Sequence, residues 1–281
     1  MVRISALIAL AATASAVLKH KTIHEILLDG PTVESVVQLQ PTNGLKTKSL
    51  TTTILPTTLP DVNVTTYPGV LSGFAKAKFP NNFAGSVASS APVWAKTNFV
   101  EYSEKVAYGL KFFGGDEWLN NVGQAMKDFH ALMVSTKQED ADLFKKLFNP
   151  CAPIKNDLDR AVLEVDMFGN FQGIAQYNGF QSFSLNDTCN FWANKTLSPL
   201  EKLASFNQKF SWDSRQCTGV DYDTEWISGI NSTALDTENI DRQWFFQTCN
   251  ELGYGQTTTG SNSIFGVLEY ANLNAIYYEM C

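Results

Sequence analysis

A chain of 281 residues with 44% hydrophobic and 17% charged side chains holds enough apolar material for one large or two modest domains, which excludes a wholly disordered polymer. Its formal charge of -7 and pI near 5.0 leave no basic face to collect phosphates, so no nucleic-acid partner is expected.

The amino-terminal stretch MVRISALIALAATASAVLKH has one arginine, an apolar run from Ile4 to Ala12, and Ala14-Ser15-Ala16 as an A-x-A cleavage site. This is the pattern of a secretory signal over residues 1–16. The apolar run is well short of the roughly 20 residues that span a bilayer, and no later run reaches that length, so no membrane span is expected. The mature chain is therefore expected to be secreted, or vacuolar or lysosomal. Sequons at Asn63, Asn186, Asn194 and Asn231 fit that address as glycosylation sites. So do the five cysteines, Cys151, Cys189, Cys217, Cys249 and Cys281, whose number reads as two disulfides and one leftover thiol. No Cys/His spacing suggests a metal, and no cofactor is expected.

Residues 17–63 crowd threonine and proline between few apolar side chains, as short strands or a linker would. The next stretch, NVTTYPGVLSG from Asn63 to Gly73, has the outline of a nucleophile elbow, in which a strand turns sharply into a helix. Val64, Thr65 and Thr66 stand where glycine, a small residue and serine belong. GVLSGFAKAKFP continues as a short amphipathic helix, with Val70, Leu71, Phe74 and Ala77 on one stripe and a stop at Pro80. Small and β-branched residues over 84–93 then read as a buried strand, which would complete one βαβ step.

From Phe99 onward the pattern is helical. FVEYSEKVAYGLKFF forms one helix, and DEWLNNVGQAMKDFHALMVS a second, with Asp116 as N-cap and Leu119, Val122, Met126, Phe129 and Met133 inward. Further helices are expected over about 141–148, 156–177, 200–210, 240–252 and 268–280. The clearest start is Ser198-Pro199-Leu200-Glu201, a capping box with proline at the first helical position. Residues 99–281 thus read as a mainly α-helical domain rich in aromatic side chains.

Two stretches carry a resemblance: TYPGVLSGFAKAKFPNNFAGSVASSAPVWAKTNFVEY and WFFQTCNELGYGQT. They are similar, in order, to the elbow region and the second signature of the serine peptidases that include lysosomal Pro-Xaa carboxypeptidase, dipeptidyl peptidase II and thymus-specific serine protease. The resemblance implies an α/β-hydrolase in which a helical cap interrupts the sheet, and cleavage beside proline by acyl transfer through serine. It divides the chain into a remnant of the hydrolase part (17–63), the elbow helix and next strand (64–98) and the cap (99–281). It also implies strands both before the elbow and beyond residue 281, so an incomplete sheet is expected. By the same resemblance Thr66 occupies the nucleophile position and the Tyr67 N–H the oxyanion hole. Glu251 and Trp244 fall in the second signature, on the cap side of the substrate cleft; a solvated helix-end carboxylate is an equal reading of Glu251. Family pairing implies disulfides Cys151–Cys217 and Cys249–Cys281, with Cys189 left over.

Read residue by residue, the chemistry is incomplete. A β-branched threonine fits a strained elbow poorly, and threonine nucleophiles are served by a nearby amine. Ser72, Ser89 and Ser90 lack elbow spacing and read as packing or capping residues. Of three histidines, His20 and His24 follow the signal directly, and His130 lies at the edge of an apolar helical stripe as a partly buried, hydrogen-bonded residue. The order serine, acid, histidine is not met, since no histidine follows His130. Asp157-Asp159 and Asp221-Asp223 read as a helix start and a polar loop rather than an acid pair. The tryptophans and phenylalanines read as core, with Trp244 alone raised toward a pocket by the resemblance. Two functions follow as expectations: a secreted homologue of prolyl-type serine exopeptidases without a usable triad, or a non-catalytic binding protein for peptides, proline-containing ones among them.

Overall fold

The computed structural model describes residues 67–82, 85–179, 184–193, 195–210, 216–234 and 241–281. These fall into two compact units that divide between Ala95 and Lys96.

In the first, helix α1 (Tyr67–Lys78) begins at the expected turn. Val70 and Ser72 are buried, while Phe74 is 45% exposed. The Ser72 hydroxyl pairs with that of Ser86 at 2.9 Å. Gly69 lets the helix approach the chain at Ser89, because a Cβ there would lie 2.5 Å from the Ser89 carbonyl oxygen. The strand expected over 84–93 is not formed at its described residues: 85–93 run as loop and turn, with Ser90 at φ 50°. Ser89 and Ser90 are exposed turn residues rather than the end of a strand.

The second unit is mainly helical, built from α2 (Glu101–Val134), α3 (Gln138–Phe148), α4 (Asp157–Gln176), α5 (Leu185–Trp192), α6 (Pro199–Phe210), α7 (Ser228–Asn231) and α8 (Asp241–Gln247). Single π-helical turns lie at Asp223–Ile227, Thr248–Leu252 and Asn274–Tyr278. The two helices read from the sequence run on as α2, with a break at Gly115, whose φ of 73° and ψ of -175° only glycine adopts readily; Asp116, the expected N-cap, follows the break as a helical residue and pairs with Lys111. Helix starts follow their caps. The Asn156 side chain accepts from the Asp159 N–H, and reciprocal bonds join Ser198 and Glu201. A third start, the Ser184/Asp187 capping box of α5, belongs to a helix that the periodicity did not reveal. The helix expected over 268–280 is absent apart from the π turn, its residues being tied into loops by Thr258 and Glu164.

Helix α2 packs against α4, α5 and α6. The core between them is aromatic: Phe129, Phe148, Phe168, Phe171, Phe206 and Phe265 are fully buried. Phe171 stacks on Phe206 at 5.1 Å and Phe168 meets Phe265 edge-on at 4.9 Å. Each such ring contributes about 1.5–3 kcal/mol by burial. A buried polar chain crosses this core: Asn170 donates to Asn207, Asn207 to Thr218, and Thr218 to the Phe148 carbonyl. Trp118, Trp192 and Trp226 are core residues as expected, whereas Trp94 is 70% exposed.

The described residues contain one sheet, a parallel pair of three-residue strands, β1 (Lys96–Asn98) and β2 (Gly253–Gly255), with Lys96 opposite Gly253 and Asn98 opposite Gly255. Gly253 has φ 77°, and a Cβ there would lie 2.5 Å from the Lys96 carbonyl oxygen. Gly253→Ala is therefore expected to cost about 1–3 kcal/mol in strain and contact and to open the pair. Faster hydrogen exchange at the Phe99 amide, which donates to the Gly255 carbonyl at 2.8 Å, reads the opening directly.

Candidate functional site

The parallel pair brings the two distinctive stretches of sequence together. The end of the first, KTNFVEY, lies along GYGQT of the second. Asn98 accepts a bond from the Thr257 hydroxyl at 2.5 Å, across 159 residues of chain. Around this junction sit aromatic and amide side chains. Phe99 contacts Tyr102 at 6.0 Å and Tyr254 at 5.9 Å. Tyr102 donates to Gln176, and Gln172 to Gln256, so the carboxyl-terminal half of α4 is pinned to the same corner. Burial raises the Tyr102 and Tyr254 phenols above their ordinary pKa, keeping both as neutral donors. Tyr254 has φ 66°, a strained conformation for a bulky residue, which the surrounding pair holds in place.

Beside the junction, α8 runs directly into the π turn Thr248–Leu252. Tyr277 donates to the carbonyls of Thr248 and Cys249, and the Cys249–Cys281 disulfide ties the same turn to residue 281. On α8, Arg242 and Phe246 form the exposed stripe, with Gln243, Trp244 and Gln247 half-buried. Glu251 is exposed on the π turn.

The remaining sequence candidates take structural places. His130 Nδ1 lies 2.7 Å from Oε1 of Glu164, which is wholly buried on α4. Glu164 also accepts from the backbone N–H groups of Tyr270 and Ala271 at 2.6 and 2.9 Å, and the His130 ring stacks on Tyr270. The exclusion of water around Glu164 pushes its carboxyl pKa up, against the hydrogen bonds that favour the charge. This pair is a clasp inside the helical domain, the hydrogen-bonded histidine that its position on α2 predicts. Asp159 accepts from the Lys155 and Tyr222 N–H groups, so it holds a loop rather than a reacting proton. Asp221 is drawn down to about 2, chiefly by the Lys155 ammonium at 2.7 Å and then by Thr224. Asp157 pairs with Arg160. Cys151 bonds to Cys217 and Cys249 to Cys281, the pairing the resemblance implies, and Cys189 is a free, half-buried thiol. Thr66, His20, His24, Asn63 and Asn194 lie outside the described residues, as does the side chain of Tyr67, whose backbone opens α1.

Among the described residues no group of His, Cys, Asp and Glu side chains is placed to hold a metal, and no helix is long and apolar enough to cross a membrane. The tie from Gln172 to Gln256 and the strained Tyr254 were not foreseen; a tyrosine flanked by two glycines was the one local signal of the latter.

Comparison with known proteins places the chain among the serine peptidases. Residues 64–281 match the model of the family described as serine carboxypeptidase S28, and the chain belongs to that family. It is 30% identical over 225 residues to human thymus-specific serine protease, covering 72% of this chain and 41% of that protein. The mouse counterpart is 28% identical over 221 residues, covering 72% and 42%. K12H4.7 of Caenorhabditis elegans, which is also named after the serine proteases, is 28% identical over 223 residues, covering 75% and 43%. The chain thus spans about two fifths of the length of these relatives. No solved structure gives a significant match.

Proposed function

We propose that this chain is a secreted, peptide-binding member of the serine carboxypeptidase S28 family that recognises proline-containing peptides and, in its 281 residues, does not cleave them. The observation that carries the reading is the β1–β2 junction, where both stretches shared with the family meet within the helical domain. The chemistry supports the negative half. Acyl transfer needs a nucleophile, an imidazole to take its proton and a carboxylate to orient that imidazole. By resemblance Thr66 occupies the nucleophile position, and His130 is committed to Glu164. Purified protein is expected to bind Xaa-Pro-Xaa peptides in calorimetry and to release no product detectable by mass spectrometry. Thr66→Ser should not restore turnover. Inhibitor-sensitive cleavage by either protein would overturn the reading.

A second reading, an active serine-type exopeptidase in which these residues bear the cap, is favoured by the share of the relatives that the chain spans. It requires a Gly-x-Ser elbow and a downstream aspartate and histidine in the transcript, and sequencing full-length transcripts decides it.

Secretion is supported by the signal-like first 16 residues and by the two disulfides. Asn186 and Asn231 are both exposed, as glycan acceptors must be. Protein secreted from eukaryotic cells is expected to lose mass on glycosidase treatment, with both asparagines modified in glycopeptide mapping. Unmodified asparagine at both would count against passage through the secretory pathway.

A further inference from the structure

Between α4 and α5 an asparagine is followed by glycine, and the surroundings of the pair leave its reactive atoms open. Asn178 and Gly179 are both exposed, in the turn after α4. Gly179 has φ 77°, and a Cβ there would meet nothing within 4 Å, so the space beside its nitrogen is free. Among the described residues its N–H has no acceptor. The Asn178 side chain, in contrast, is held: its Oδ1 accepts the Leu185 N–H at 2.9 Å. Leu185 opens α5, so this is one of the N–H groups that a helix start leaves without an intrahelical acceptor.

Other exposed asparagines lack such a nitrogen. After Asn98 the Phe99 N–H goes to the Gly255 carbonyl, and after Asn231 the Ser232 N–H goes to that of Ser228. After Asn262 the Ser263 N–H goes to the Ser261 hydroxyl. Asn149 is followed by proline, which has no N–H, and Asn156 by aspartate, whose Cβ screens its nitrogen.

We propose that Asn178 is a site of spontaneous deamidation, with the Gly179 backbone nitrogen as nucleophile and the Leu185 N–H as the donor that receives the developing oxyanion. The Gly179 nitrogen attacks Cγ of Asn178, and negative charge gathers on Oδ1. That oxygen already faces the Leu185 N–H and the positive end of the α5 dipole. The bond from Cγ to Nδ2 then breaks, and ammonia leaves with the proton that Gly179 gave up. A five-membered imide remains. Water opens it at either carbonyl, giving aspartate or isoaspartate at 178. Aspartate places a full charge at the start of α5, where the dipole favours it, whereas isoaspartate lengthens the main chain by one methylene and disturbs the contact with Leu185.

The test holds the full chain in warm neutral buffer and maps its peptides by mass spectrometry over time, with isoaspartate counted by enzymatic methylation. Native protein is expected to gain aspartyl and isoaspartyl chains at 178, a mixture that direct hydrolysis of the amide does not give. Conversion there should run on the order of tenfold ahead of that at Asn98, Asn231 and Asn262, since each of those must first release a hydrogen bond. Leu185→Pro removes the donor at a helix position where proline fits, and should slow conversion at 178 on the order of tenfold. An Asn178 that stays intact in native protein but converts once the chain is reduced and unfolded in urea would overturn the proposal. Equal conversion at all four asparagines in native protein would overturn it as well. An unchanged rate in a folded Leu185→Pro would overturn the part given to Leu185. Should that variant fail to fold, the wild-type comparison of native with unfolded chain decides alone.

Discussion

Glu164→Ala is expected to destabilise the helical domain by about 3–5 kcal/mol, the largest effect of any single substitution considered. The carboxylate gathers three donors from two other elements, His130 on α2 and the backbone of Tyr270 and Ala271, at a position with no solvent exposure. Truncation leaves all three without their acceptor and opens a void beside the His130–Tyr270 stack. The pH dependence has a definite sign. Burial raises the folded carboxyl pKa above its unfolded value. The stability tied to this group is therefore whole below the unfolded carboxylate pKa of about 4.3 and is lost as pH rises through the folded value. Urea unfolding of the wild type from about pH 4 to about pH 8 should show this loss, and Glu164→Gln, with no proton to release, should lack it. A wild-type slope that persists unchanged in Glu164→Gln would show that the carboxyl does not titrate in this window.

Removal of either disulfide is expected to have an effect of similar size. Cys151–Cys217 closes a separation of 66 residues and Cys249–Cys281 one of 32, and the two loops do not overlap. In the chain-entropy account each contributes about 4 kcal/mol, slightly more for the longer loop, and the effects of the two should add. Paired substitution to serine, Cys151/Cys217 or Cys249/Cys281, separates them in denaturant titrations. The first cross-link sits beside backbone bonds from Cys151 to Thr218 and from Thr218 to Asn149, so its loss also loosens the register of those segments. The second ties the π turn Thr248–Leu252 to residue 281, and its loss should free that turn as well as lower stability. Unchanged midpoints after both paired substitutions would show that the unfolded chain gains no freedom from them.

How much was legible follows from the range of the interactions concerned. Helices α2, α3, α4 and α6 were readable because their apolar spacing, the caps of α4 and α6 and the Gly115 break are local properties, decided within a few residues. The strand expected over 84–93 was read from composition alone, and small β-branched runs do not distinguish a buried strand from a tightly packed loop. The absence of a helix over 268–280 depends on Glu164, over 100 residues away, and on Thr258, ten residues before Leu268, which take up backbone groups of residues 268–271. The place of His130 was foreseen from its stripe on α2, but its partner, 34 residues away, was not, since no spacing rule selects one acid among many. The β1–β2 junction is the extreme case: three-residue strands carry no periodicity, and only the glycines flanking Tyr254 hint at a close approach.

That junction also sets an order of events. Its partners are separated by most of the helical domain, and closing so long a loop for a few hydrogen bonds is unfavourable until the intervening chain is already compact. During synthesis the amino-terminal partner, β1, must wait while α2 to α6 emerge and pack and the first cross-link becomes available, and only then does β2 arrive. The corner where the two strands meet thus forms late, so nascent chains and early folding intermediates lack the β1–β2 pairing and the contacts of Phe99 and Tyr254 that depend on it.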